Sequence, residues 1–320
     1  MVATTPAFFS LSALPVEYDP EARCSAWSNF LSEVLPDYQL QRIIQQIFGY
    51  CLVHGQPAQR FFILCGEANN GKSVVLQVLT RILGQDNVSD VPLENFGQRF
   101  ALSSTIGKLA NICDDLSGSD KVAEGVLKRY TGGRSIEVER KHENKFTMRP
   151  SAKLVYATNQ VSKFRDKTQG IWRRLFIVPM KVEIPQSKRV PLDEKVEELC
   201  QELPGILNWS LAGLYALHHQ RYIFIEPAAC QSAKSEHQRE SNPTIVFLSE
   251  HLENSQGDNE IILCADLYGL YREWMVKKGY QPLGESGFGK ELARKYGNRR
   301  KRIRQGEHLS WAYEGLRYLN

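Results

Sequence analysis

The chain has little of what would place it at a membrane, in a disulfide scaffold or around zinc. No stretch of its 320 residues reaches the roughly 18 to 20 consecutive apolar residues that a membrane span needs. Met1 to Ser12 lacks a basic leader and a long apolar core, which argues against a signal peptide. The seven cysteines (Cys24, Cys51, Cys65, Cys113, Cys200, Cys230 and Cys264) are scattered and odd in number, and none stands in C-x-x-C spacing. That pattern excludes a zinc ribbon and a disulfide framework and points to a reducing cytoplasm. His218 and His219 fall at the end of a helical stretch, where histidine suits the helix dipole, and no metal is assigned to them. Acidic residues are scarce in one place. From Lys121 to Met180 there are 14 Lys and Arg against 5 Asp and Glu, a local charge of +9 inside a chain whose net charge is +4. The remainder must therefore sum to −5. A basic block in an otherwise mildly acidic protein implies a polyanionic partner. A second basic run, Arg294-Lys295 and then Arg299 to Arg304, lies near the C-terminus.

What is present is organised around one stretch. The apolar run Phe61-Phe62-Ile63-Leu64-Cys65 reads as a strand and meets Gly66-Glu67-Ala68-Asn69-Asn70-Gly71-Lys72-Ser73, after which an amphipathic run resumes at Val74. Strand, G-x-x-x-x-G-K-S and helix in that order make a phosphate-binding loop. Glycine lets the backbone curl so that its N–H groups face phosphate oxygens, and the helix start adds its positive dipole end. The lysine reaches the β- and γ-phosphates and the serine hydroxyl reaches Mg²⁺. Gly66 to Val74 are therefore the expected nucleotide contacts, with ATP and Mg²⁺ as cofactors.

Forty-one residues beyond Ser73, the apolar strand Leu109–Cys113 ends in Asp114-Asp115. In a P-loop ATPase one acid at such a strand end holds Mg²⁺ and the next polarises the attacking water. Asp114 is assigned to the metal and Asp115 to catalysis. A further strand, Lys153–Ala157, ends in Thr158-Asn159, whose amide could orient water or contact the γ-phosphate. Gly170 to Arg174 enters the strand Leu175–Pro179. Arg173 and Arg174 could there serve as an interfacial arginine finger, contact DNA or pair with carboxylates. Between these lies a predicted hairpin, Ser135–Glu139 and Lys145–Met148, with the polar tip Arg140-Lys141-His142-Glu143-Asn144.

Helical periodicity is expected from Ala26 to Val34 and from Tyr38 to His54, then over about 192–220, with a Pro-containing connector at 182–191 and a polar helix or linker over 228–240. After Asn242-Pro243 the order is helix 244–254, strand 261–263, helix 265–278, helix 286–296 and a basic hairpin closing through Trp311–Tyr313 and Leu316–Leu319. That is the order of a small winged helix, and its recognition helix would present Lys290, Arg294 and Lys295.

In order and spacing these motifs resemble superfamily 3 helicases, and more closely the helicase part of phage, plasmid and poxvirus-type primase-helicases. The resemblance rests on Tyr18 to Ala22 with Phe30-Leu31, on Gly66–Ser73, Asp114-Asp115 and Thr158-Asn159, on Trp172 to Leu175, and on Leu267 to Trp274 with Phe288 to Leu292. It implies an α/β, AAA+-like P-loop ATPase core with a parallel central sheet, an N-terminal helical region and a C-terminal winged helix. The corresponding domains are 1–58, 59–181, 182–241 and 242–320. It also implies that Asn159 senses the γ-phosphate, that Arg174 is the better-aligned finger, and that Arg140, Lys141, His142 and Lys145 contact DNA at the hairpin. The activity implied is that of an ATP-dependent helicase of a mobile-element replication system. A hexameric ring would act on single-stranded and forked DNA, with a primase or polymerase partner, in a bacterial host or at a virus-associated replication site. No zinc-binding cysteine cluster or polymerase-type segment precedes residue 20, so priming is not inferred. An ATP-switched DNA-binding initiator is the alternative from a different class, and a P-loop kinase or transport ATPase would leave the hairpin and basic tail without a role.

Overall fold

The computed structural model describes residues 12–114, 122–162, 164, 169–255, 260–305 and 308–319. The chain divides into two compact units, 1–235 and 236–320.

Unit 1 begins with two amphipathic helices, α1 (Ser25–Val34) and α2 (Tyr38–Cys51). Asp37 caps α2 by accepting a hydrogen bond from the Gln39 amide, and Pro36 before it ends α1. Trp27, Phe30, Leu31 and Val34 bury the inner stripe of α1. Trp27 packs against Phe48 of α2 and edge-on against Trp209. Then follow β1 (Phe61–Cys65), α3 (Lys72–Leu83), β2 (Val88–Ser89), β3 (Ala110–Cys113), α4 (Glu124–Thr131), β4 (Ile136–Val138), β5 (Phe146–Met148), β6 (Lys153–Thr158), α5 (Gln169–Trp172) and β7 (Leu175–Pro179). The unit continues with α6 (Leu192–Cys200) and α7 (Leu203–His219), and α8 (Ala228–Ser241) crosses the division.

Five strands form one parallel sheet in the order β2-β3-β6-β1-β7. Its central strands are apolar throughout because both faces are covered. The two-residue period sorts their side chains into two cores. Phe62, Leu64, Val155, Ala157, Phe176 and Val178 join the side built with α1, α2, α3 and α6. Phe61, Ile63, Leu154, Tyr156, Leu175 and Ile177 join the side built with α4 and β4. Since all five strands run the same way, their carboxyl ends share one edge. Gly66, Asp114, Asn159 and Met180 each leave a strand there, the edge where parallel α/β sheets bind ligands. β4 and β5 form the separate antiparallel hairpin expected from the sequence, pairing Ile136 with Met148 and Val138 with Phe146.

Unit 2 holds α9 (Pro243–His251), β8 (Leu252–Asn254), β9 (Ile261–Leu263), α10 (Cys264–Lys277), α11 (Glu285–Tyr296), β10 (Arg300–Gln305), β11 (His308–Glu314) and β12 (Leu316–Tyr318). β10, β11 and β9 make one antiparallel sheet, while β12 pairs with β8. The periodicity that predicts helix to residue 254 fails at Leu252. The last three residues of that run are drawn into strand by β12, more than 60 positions away. Phe247, Leu267, Tyr271, Phe288 and Leu292 form the core of this unit, with Tyr271 stacked on Phe288 at 4.4 Å. No helix among the described residues is long and apolar enough to cross a membrane.

Candidate active site

The loop between β1 and α3 is fixed by two close approaches. A Cβ at Gly66 would lie 2.0 Å from the Met180 carbonyl oxygen and 2.5 Å from Asn70 Nδ2, so only glycine fits where β1 and β7 end side by side. Gly71 takes φ +85°, in the left-handed region, and opens α3 at its N-terminus. Asn70 is 3% exposed and locks the turn by donating through Nδ2 to the Met180 oxygen at 2.8 Å. The Ile184 amide donates to the Asn69 oxygen, bringing the chain after β7 back over the loop.

Lys72 is the buried cation at the centre. Its Nζ donates to the carbonyl oxygens of Gly66 and Glu67, both at 2.7 Å, and to Asn70 Oδ1 at 2.9 Å. Burial pulls its ammonium below the usual lysine range, and the Asp114 carboxylate pulls it back up. A cavity of about 490 Å³ opens over this point, lined by Ala68 to Val74 of the loop together with Asp114, Thr158 and Asn159. Three strand ends thus bring Lys72, Ser73, Asp114 and Asn159 to one cavity, as the sequence reading requires. Ser73 and Asp114 offer hydroxyl and carboxylate oxygens there, the hard donors Mg²⁺ takes. Asp115, the expected catalytic acid, lies outside the described residues.

Sequence reasoning missed the far wall. Phe30, Glu33 and Val34 of α1 contribute to it, as do Lys188 and Arg189 of the connector and Lys195 of α6. Arg189 pairs with Glu183 at 2.6 Å and Lys188 with Glu33 at 3.3 Å. The available signal was the pair of adjacent cations Lys188-Arg189 in the Pro-containing connector.

Arg173 and Arg174 stand at the opposite edge. The Phe61 amide donates to the Arg174 carbonyl, so both arginines lie at the starting end of β1, about 15 Å from its Gly66 end at the rise of a strand. They line a second cavity of about 300 Å³ with Arg60 and Arg221. Their environments differ. Arg174 is 9% exposed and its guanidinium donates to the Gly170 oxygen at 2.6 Å, whereas Arg173 is exposed.

At the hairpin, Lys145 pairs with Glu137 at 2.8 Å and Arg140 with Glu143 at 3.6 Å. Lys141 and His142 stand exposed at the tip, with His142 at φ +66°. No ion pair among the described residues engages either. In unit 2, Arg294 of α11 pairs with the buried Glu291 at 2.5 Å, and Lys295 donates to Ser249 Oγ and lies over the Tyr296 ring. Lys290 is exposed on the same helix.

Known proteins match in two segments and over most of the chain. Residues 64–174 match a family of unknown function, DUF5906, and residues 239–313 match the poxvirus D5 protein-like family. A protein of Acanthamoeba polyphaga mimivirus provisionally named helicase L207/L206 is 23% identical over 273 residues, covering 77% of this chain. One of Frog virus 3, provisionally named helicase 022R, is 22% identical over 266 residues. The chain spans 28% and 27% of these two relatives. In fold it is similar to the solved NrS-1 C-terminal region, with a TM-score of 0.59 at 11% identity over 98% of this chain and 78% of that one. By these matches the chain is similar to viral helicases of the D5-like kind, with the D5-like segment in its C-terminal unit.

Proposed function

We propose that the protein is the ATP-driven motor of a superfamily 3-type DNA helicase, with an AAA+-like core in unit 1 and a winged helix in unit 2. The observation that carries this reading is the convergence of Lys72, Ser73, Asp114 and Asn159 on one cavity at the carboxyl edge of a parallel sheet.

In that cavity the backbone N–H groups at the start of α3 and the Lys72 ammonium bind the phosphate chain. Lys72 must then exchange its bonds to the loop carbonyls for phosphate oxygens, a short movement because its stem is already packed in place. Ser73 and Asp114 would hold Mg²⁺, which when bound neutralises charge on the β- and γ-phosphates. Asn159 orients the attacking water or senses the γ-phosphate, with Asp115 as the base. Arg173 and Arg174 lie too far from Lys72 to serve their own cavity, so a neighbouring copy supplies the finger. We assign it to the exposed Arg173 rather than to Arg174, whose guanidinium is bound to the Gly170 carbonyl. That requirement makes the active form an oligomer, for which we propose a hexameric ring. Lys141 and His142 at the hairpin tip hold single-stranded DNA through its phosphates. Movement of the subunit interface on hydrolysis would carry the hairpin along the strand.

The test is ATP hydrolysis measured against protein concentration, with and without single-stranded DNA, for the wild type and Arg173→Ala. Specific activity should rise with concentration, increase with DNA and collapse in the variant, since a finger supplied in trans is worth about 10³ to 10⁵ in rate. Activity proportional to concentration and indifferent to DNA would reject the motor and leave an ATP-switched, DNA-binding initiator.

A further inference from the structure

The expected DNA-reading helix of unit 2 has spent two of its three cations on its own domain, since Arg294 is held by Glu291 and Lys295 by Ser249. On β10, which follows it, no arginine forms an ion pair among the described residues, and Arg300 meets the Cys264 thiol. Four of the six residues of β10 (Arg300, Lys301, Arg302 and Arg304) are cationic. Of these only Lys301 forms an ion pair among the described residues, with Glu314 at 2.8 Å.

The register explains what these arginines do. Arg302 stands opposite Trp311, and Arg300 opposite Tyr313, so all four side chains share one face of the hairpin. That face starts inside the core at Tyr313, which is 5% exposed, and emerges at Trp311, which is 42% exposed. The guanidinium carbons of Arg300 and Arg302 lie 4.4 Å and 4.8 Å from the centre of the Trp311 ring. No aromatic side chain among the described residues stacks on this indole. Leu309, one step further out on the same face, is 70% exposed.

We infer that this arginine–tryptophan column is a stacking platform for single-stranded nucleic acid, distinct from the hairpin of unit 1. Flat guanidinium and indole surfaces stack on bases, while the cationic strand meets the phosphates on either side. A second copy docking face to face would bring like charges together, whereas a polyanion neutralises them. Duplex is disfavoured because its base faces are already covered by their neighbours, leaving the indole nothing to stack on. The inference rests on the helicase reading for its ligand class, and assigns to Trp311, Arg300 and Arg302 a role the recognition helix would otherwise carry.

The experiment measures binding of the full chain by fluorescence anisotropy to three labelled oligomers: a thymidine 30-mer, an abasic strand of the same length, and a duplex. Wild type should prefer the thymidine strand to the abasic one. Trp311→Ala should weaken thymidine binding at least about fivefold, the loss of one stacked base, and leave abasic and duplex binding within about twofold. Trp311→Phe, which keeps a ring, should retain most of the affinity, and an unchanged melting temperature would show that unit 2 stays folded. Arg302→Gln should lower the salt slope on single strands by about 0.7. A wild type that binds the thymidine strand while Trp311→Ala binds it equally well overturns the platform and leaves the helicase reading standing. An equal loss on duplex also overturns it, in favour of a backbone-binding wing. A wild type that binds no single strand sinks both.

Discussion

Lys153 is fully buried at the start of β6, with no carboxylate partner among the described residues. Its ammonium donates to the Ser151 oxygen at 3.1 Å and lies 5.2 Å from the centre of the Tyr50 ring. Burial pulls its pKa from 10.5 down to about 8. Between those two values the unfolded chain binds more protons than the folded one, so stability must rise with pH through that window. Below pH 8 the amine is charged in both states and the full cost stands, which at 1.36 kcal/mol per pH unit is about 3 kcal/mol. Lys153→Met removes the buried charge and keeps the apolar stem. It forfeits the bond to Ser151 and the contact with Tyr50, together about 2 kcal/mol. We therefore expect the variant to be about 1 kcal/mol more stable at pH 7 and to lose that advantage by about pH 10. Urea unfolding of both proteins at pH 7 and pH 10 reads the difference, in which the titrations they share cancel. A variant less stable at pH 7, or a difference that does not change with pH, would refute the reasoning.

Gly66→Ala must push β7 away from β1 or displace Asn70; a loss of about 1 to 3 kcal/mol in thermal unfolding should accompany weaker binding of a fluorescent ATP analogue. Normal nucleotide binding by that variant would show the close approach to be dispensable. Arg174→Ala removes the hydrogen bond to the Gly170 carbonyl and the packing of a buried stem and should cost about 1 to 3 kcal/mol of stability, whereas the exposed Arg173→Ala should melt as wild type does. Equal melting temperatures for the two would contradict their different burial. Lys141→Ala should reduce single-stranded DNA affinity at low salt and lower the salt slope by about 0.7, the share of one phosphate contact. An unchanged slope would remove the hairpin tip from the DNA path.

Local pattern carried far in this protein. The run Phe61–Cys65, the loop to Ser73 and the helix to Leu83 lie where composition and spacing put them, because strand, turn and helix signals there are short-range and agree. The hairpin and α11 were legible for the same reason. The sequence also isolated Asp114 and Asn159 as polar residues at apolar strand ends. That they share a cavity with Lys72 follows from the parallel order β3-β6-β1, which pairs segments tens of residues apart.

By itself the sequence determined the glycine-bounded loop between β1 and α3, the basic character of the hairpins and the succession of elements in both units, since each depends on neighbours within about a dozen positions. Tertiary structure decided which charges are available. Burial separates Arg174 from Arg173, pulls down Lys153, and commits Arg294 to Glu291 while leaving Arg300 and Arg302 over Trp311. An arginine looks the same in a sequence whether its guanidinium meets solvent, a carbonyl or a ring. Only the packing of distant segments around it sets the desolvation and the partner that fix its role.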